Sequence, residues 1–186
     1  GPGTNNEHLV IAGCSAGDDD QISDDWTFRV RLGKVAEPVS WNVWAKAVET
    51  LDNEDSETFT GKFTVNVYLE LSLDDTALTF SGLQGETLAA SENPTVATVT
   101  ANVDFDIQVK GAGDWSGPGT LLLSNTKADK DGSSPYDLEL STSWQSLWTG
   151  VGWGEDVQKN IYWFLAVPID TTPGNYTNTM YVRVSS

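Results

Sequence analysis

From Phe59 to Leu73 the chain alternates without a break. Phe59, Gly61, Phe63, Val65, Val67, Leu69, Leu71 and Leu73 take the odd positions, and Thr60, Lys62, Thr64, Asn66, Tyr68, Glu70 and Ser72 the even ones. Successive side chains of an extended strand point to opposite faces, so a period of two gives one apolar and one solvated face and argues against helix. At about 3.3 Å per residue fifteen residues would extend about 50 Å, so a bend, bulge or change of sheet is expected inside the run, with Gly61 its natural place. A second run sets Val99, Ala101, Val103, Phe105, Ile107 and Val109 inward against Thr100, Asn102, Asp104, Asp106, Gln108 and Lys110, and reads as another half-buried strand.

Shorter strands are expected at Trp26 to Leu32, Val39 to Val48, Thr120 to Leu123, Asp137 to Ser141, Ile161 to Val167 and Tyr176 to Val184, each bounded by Gly, Pro, Asn or Asp. The stretch from Trp41 to Glu49 is ambiguous in period, and its Trp, Val and Ser favour strand. Eight or so strands with Gly- and Asp-rich turns and no alternation with helices point to an all-β, two-sheet sandwich, with a closed barrel as second choice. The expected division is an N-terminal segment, residues 1–25, and a β-sandwich domain, residues 26–186. Gly1-Pro2-Gly3 reads as a protease-cleavage scar.

The charge balance narrows the function. Twenty-seven acidic against ten basic residues give a net charge of −17, which disfavours nucleic acid and anionic membrane surfaces as partners. No run approaches the roughly 18 apolar residues of a membrane-spanning helix. A single cysteine, Cys14, precludes an internal disulfide, and a single histidine, His8, leaves little imidazole for zinc or a triad. Ile11-Ala12-Gly13-Cys14 has the form of a lipoprotein cleavage site, but the polar Asn5 to His8 stand where an apolar signal core belongs, so an incidental thiol is the favoured reading. Asn175-Tyr176-Thr177 is the single N-glycosylation sequon.

The segment from Trp163 to Val182, with Pro173-Gly174-Asn175-Tyr176-Thr177 at its turn, resembles the last two strands of immunoglobulin-like domains in archaeal and bacterial surface proteins. Leu78-Thr79-Phe80 with Gly82 and Gly85, and the strand from Asn102 to Ile107, are similar to earlier strands of such a domain. The resemblance covers roughly residues 60–186. It implies an immunoglobulin-like sandwich, with a jelly roll as the alternative, in a module of cell envelopes or fibres, and it transfers no catalytic residue. Independently of any family, Pro173-Gly174 sets a turn after which Tyr176 can bury its ring and bond its hydroxyl back to the backbone.

Three constellations could carry chemistry. Asp129-Lys130-Asp131-Gly132 has the Asp-x-Asp-Gly core of a calcium loop, and Asp137 or Glu139 could help close it, but Lys127 and Leu138 stand where further ligands belong. A solvated Asp-Gly turn is the competing reading. The run containing Asp18 and Asp20 is a second carboxylate cluster, and another spans Asp52 to Glu57. Residues 1–93 hold 17 acids and 5 bases, residues 94–186 hold 10 and 5. Calcium is thus the cofactor to test. Trp115, Trp148 and Trp153 lie in Gly-rich stretches read as loops and could stack on sugar rings, or plug the ends of the sandwich. A glycosidase would need two opposed acids across a cleft, and Glu70 falls on the solvated face of its strand.

The expected function is that of a non-enzymatic, extracellular surface protein acting through protein contacts in an envelope layer, adhesin or filament. Leu9, Val10 and Ile11 form a short apolar segment suited to completing the sheet of a neighbouring subunit. The alternatives are a carbohydrate-binding module with polysaccharide as partner and, third, a glycoside hydrolase.

Overall fold

The structure, a computed structural model, describes residues 9–15, 27–48 and 54–186, with side chains described for 32–44 and 56–186. The chain divides into two units, Gly1–Tyr68 and Leu69–Ser186. All regular structure among the described residues is antiparallel strand, apart from one 3-10 turn at Leu123–Asn125. No helix among them is long and apolar enough to cross a membrane.

The described residues of the first unit form two ladders. Strand β1 (Leu9–Ser15) pairs with β2 (Thr27–Leu32), and β3 (Ser40–Val48) with β4 (Glu54–Thr64). Leu9, Val10 and Ile11, expected to reach a neighbouring subunit, are placed opposite Leu32, Arg31 and Val30 of their own chain. The bend expected at Gly61 is a bulge. Gly61 takes φ +59°, a region open to glycine, and its N–H donates to Asn42 Oδ1 at 2.9 Å. Trp41 and Phe63 then sit opposite one another and stack at 6.1 Å. The run also breaks after Thr64. Val67, on the apolar row by pattern, is 56% exposed, because residues 65–68 form no ladder and the pleat that would turn it inward is lost.

The second unit is a sandwich. One sheet has the order β10 (Leu138–Glu139), β9 (Thr126–Asp129), β12 (Gly154–Ala166), β7 (Thr95–Ala101), β5 (Leu69–Leu73), with β6 (Thr87–Ala89) also paired to β12. The other has the order β11 (Gln145–Val151), β8 (Phe105–Gly111), β13 (Met180–Ser185). Val99, Ala101, Ala128, Ile161 and Trp163 of the first sheet and Phe105, Ile107, Val109 and Leu147 of the second are buried in one core. Burying each of the larger of these side chains is worth about 1.5–3 kcal/mol, which makes the alternating rows the main source of stability.

Three expectations need correction. The run from Val99 to Val109 is not one strand. A corner at residues 102–104 carries it from the larger sheet to the smaller, and Asn102, read as outward, is buried there. Alternation survives because both halves face the same core. The strand expected at Thr120 to Leu123 is a single bridge from Leu121 to Trp115 followed by the 3-10 turn, and pairing begins only at β9. The Trp-rich stretch read as loop contains β11, whose period is broken by two bulges opposite β8. Gly150, at φ +58°, lies in the second bulge.

Candidate functional site

The outer face of the three-stranded sheet gathers cations and aromatic rings. On β8, Val109 faces the core, so Lys110 faces out. On β13, the half-buried Val182 and Val184 pack against the core, while Tyr181 and Arg183 point the other way and are exposed. Register sets Tyr181 opposite Lys110 and Arg183 opposite Gln108, and Trp144 enters from the other side just before Gln145, the partner of Val109. The rings of Trp144 and Tyr181 meet edge-on at 6.5 Å. Lys110 Nζ lies 4.8 Å from the Trp144 ring and 5.2 Å from that of Tyr181, and Arg183 Cζ lies 4.4 Å from Trp144. Such contacts are worth about 0.5–1 kcal/mol each at exposed sites, enough to hold the cations against the rings.

A row of hydrogen bonds across all three strands supports this face. Arg183 Nε donates to Gln108 Oε1 at 2.8 Å, Gln108 Nε2 donates to Ser146 Oγ at 3.1 Å, and Ser146 Oγ donates to Asp106 Oδ2 at 3.1 Å. Asp106 Oδ1 accepts the Gly150 N–H at 2.9 Å, tying the row to the bulge of β11. Arg183 is thus fixed by a side chain on the strand beside it, while no carboxylate among the described residues pairs with it or with Lys110. This face was missed in the sequence because its members come from three separate segments. The signal available was that Lys110 and Arg183 are two of only five bases after residue 93, both at outward positions of alternating strands.

The residues singled out from sequence fall elsewhere. Asp129 is buried, and its carboxylate is surrounded by N–H groups. Oδ2 accepts from Asp131, Gly132 and Ser133 at 2.6–3.1 Å, and Oδ1 from Asp137 at 3.0 Å. Asp131 Oδ1 accepts from the backbone and hydroxyl of Ser133, and Asp137 Oδ2 from the Lys130 N–H. These three acids fold a loop around one another's backbone, and no group of three metal-ligating side chains is found among the described residues. Asp18 and Asp20 lie outside the described residues, as does His8. Asn175 is exposed.

The three tryptophans do not share a surface. Trp153 is 52% exposed, and its N–H is held by Asp104, just before β8 begins. Trp115 follows the opposite end of β8, with its indole N–H on Thr126 Oγ1 at 2.9 Å and its ring edge-on to Phe80 at 5.9 Å. Trp148 lies on β11 between them, its ring near Lys159 and Lys130 at 4.7 and 5.7 Å. Beside the β5 and β13 edges opens a cleft of about 400 Å³ lined by Leu73, Leu78, Phe80, Trp115, Met180 and Val182. The indole N–H groups at its wall are already engaged, that of Trp163 by Thr95 Oγ1 at 3.1 Å.

The carboxylates of the second unit serve the backbone elsewhere too. Asp74 accepts from Val96, Asp114 from Leu123, Glu86 from Leu83 and Glu92 from Thr79, at 2.7–2.8 Å. The Thr79 N–H, with the Ser91 hydroxyl, lowers the Glu92 carboxyl to a pKa of about 2. Compared with family models, curated proteins and solved structures, the chain matches none.

Proposed function

We propose that this chain is a non-enzymatic, extracellular surface protein that works through protein contacts in an envelope layer, adhesin or filament, and that its second unit is an immunoglobulin-like sandwich. The observation that carries the reading is the face built by Trp144, Tyr181, Lys110 and Arg183. Tryptophan, tyrosine and arginine are the side chains most enriched at the energetic centres of protein interfaces. Here they stand on a sheet and are braced by neighbours, so docking would order little that is not ordered already. The acids support the same reading, since those of the sandwich described above hold loops through backbone N–H groups.

The immunoglobulin-like assignment, against a jelly roll, draws on the closing segment. Tyr176 donates its hydroxyl to the Thr172 carbonyl at 2.7 Å and so fixes the approach to β13, as the turn at Pro173-Gly174 suggests. The test is display on the cell. Protease added to intact cells that produce the chain should degrade it while cytoplasmic markers survive, and antibody should label those cells without permeabilisation. A chain protected until the cells are broken would overturn the reading.

A further inference from the structure

The sandwich carries five bases, Lys110, Lys127, Lys130, Lys159 and Arg183. Lys127 pairs with Glu139 and Lys130 with Asp137, while Lys159 stands against Trp148 beside the paired Lys130. In the sandwich, Lys110 and Arg183 alone are neighbouring cations that share one ring and have no carboxylate partner among the described residues. The one acid of β8, Asp106, directs both oxygens toward β11, to Ser146 Oγ and the Gly150 N–H, on the flank of β8 away from β13.

We propose that this face docks an extended acidic segment of a different protein, with carboxylates at alternate positions. Gln108 holds Arg183 through Nε, which leaves the N–H groups of both terminal nitrogens for a two-bonded grip on one carboxylate. Lys110 offers a point charge to a second. The two cations are diagonal neighbours across β8 and β13, a relationship that sets residues about 7–8 Å apart. Residues two apart on a strand lie on one face, about 7 Å from each other, so an alternating acidic strand presents its carboxylates at the spacing of the cations. Tyr181, 43% exposed, adds apolar surface beside them.

A saccharide fits this face less well. Stacking on a sugar needs a free ring face, and the half-buried Trp144 already lies against both cations. The neutral polar groups that would meet sugar hydroxyls, Gln108 and Ser146, bond one another. A second copy is disfavoured by charge, since two bodies of net charge −17 repel. The inference rests on the surface-protein reading and names the chemistry of its partner. Salt should act strongly. At about 0.15 M the Debye length is about 8 Å, so charges in contact still attract, whereas at about 1 M, where it is about 3 Å, they are screened.

The test is NMR of the full chain, reading backbone amides and indoles during titration with two capped peptides of equal length, charge and composition. One repeats Glu-Thr four times and has carboxylates two apart. The other repeats Glu-Glu-Thr-Thr twice and has none at that spacing. The alternating peptide should shift Trp144, Tyr181 and their neighbours on β8 and β13, and should bind at least about tenfold more tightly than the other, the worth of one charge-assisted hydrogen bond. Lys110→Gln with Arg183→Gln, its fold confirmed by circular dichroism, should weaken binding at least about tenfold, as should about 1 M NaCl on the wild type. Equal affinity for the two peptides overturns the proposal, as do wild-type shifts confined to other surfaces, an affinity that the double variant keeps, or no binding at all. Polygalacturonate bound more tightly than the alternating peptide makes the occupant an acidic saccharide, and wild-type self-association in sedimentation that the double variant loses makes it a second copy. Either result overturns the assignment. The surface reading falls separately, on a chain that protease does not reach on intact cells.

Discussion

Trp148, on the three-stranded sheet, donates its indole N–H to the carbonyl of Asn160 on the facing sheet, 3.0 Å away. The bulges of β11 make this possible. They set the buried Leu147 and the half-buried Trp148 side by side against the core, where strict alternation would turn one of them outward. The indole also lies against Lys159, which occupies the same row of β12 as the buried Ile161.

Removing that tie should loosen the sandwich along the β11 edge. Trp148→Phe keeps most of the ring and loses the N–H, so urea unfolding should show a loss of about 1 kcal/mol. Trp148→Ala should cost about 3 kcal/mol, toward the low end for truncation of a large aromatic because the ring is only half buried. Equal losses for the two variants would show that the hydrogen bond, not the packing, carries the effect.

The Asp129 loop gives a second expectation. Asp129→Ala would leave the backbone N–H groups of Asp131, Gly132 and Asp137 without their acceptor, while that of Ser133 keeps Asp131 Oδ1, and an unsatisfied buried donor costs about 1–3 kcal/mol, so a total loss of about 3 kcal/mol is expected. Asp129→Asn keeps one acceptor oxygen and should be intermediate. Thermal unfolding of these variants and the wild type checks this, and wild-type scans run in calcium and in chelator also read the metal. A loop closed by these N–H groups alone melts at the same temperature in both, whereas a calcium site at Asp129, Asp131 and Asp137 raises the melting temperature with calcium.

The alternating rows were legible because burial on one face imposes a period of two, and each long run covers residues of two strands, β4 and β5 in the first and β7 and β8 in the second. What the pattern did not reveal was where a strand stops. Residues 102–104 cross between sheets without disturbing the alternation, since Ala101 and Phe105 face the same core from opposite sides. Nor did it reveal β11, because bulges at Leu147 and Gly150 erase the period that marks a strand. The candidate face was illegible for a different reason. Lys110, Trp144 and Arg183 are brought together by register between strands, which depends on partners far apart in sequence.

Glu92 predicts an acid response. Its carboxyl is lowered from 4.5 to about 2 by the Thr79 N–H and then the Ser91 hydroxyl. A group whose folded pKa is depressed contributes stability that is complete above its unfolded pKa and disappears as the pH falls through the folded one. The difference between wild type and Glu92→Gln should therefore be constant above about pH 5 and shrink steadily toward pH 2. A difference that does not change over that interval would show that the Glu92 charge contributes nothing.

Asn93 supplies the last expectation. Its side-chain amide completes the ladder beside β12, accepting the Trp163 N–H on Oδ1 at 2.8 Å and donating from Nδ2 to the Trp163 carbonyl at 2.8 Å. It stands in for backbone between β6, which ends opposite Phe164, and β7, which begins opposite Ile161. Asn93→Ala leaves the Trp163 N–H without an acceptor and should cost about 1–3 kcal/mol. The carbonyl keeps the Ala90 N–H at 3.0 Å, so the loss falls on the donor. Asn93→Asp retains the acceptor but turns a charged oxygen toward that carbonyl, which should cost more at pH 7 than the alanine variant. Protonation replaces this repulsion with an O–H donor, so the aspartate's folded pKa should rise above the ordinary value of about 3.9, and its penalty relative to wild type should shrink as the pH falls through that folded value. Denaturant unfolding of the three proteins at pH 7 and pH 3.5 checks this. A penalty for Asn93→Asp that is the same at both values would mean that its carboxylate does not face the Trp163 carbonyl.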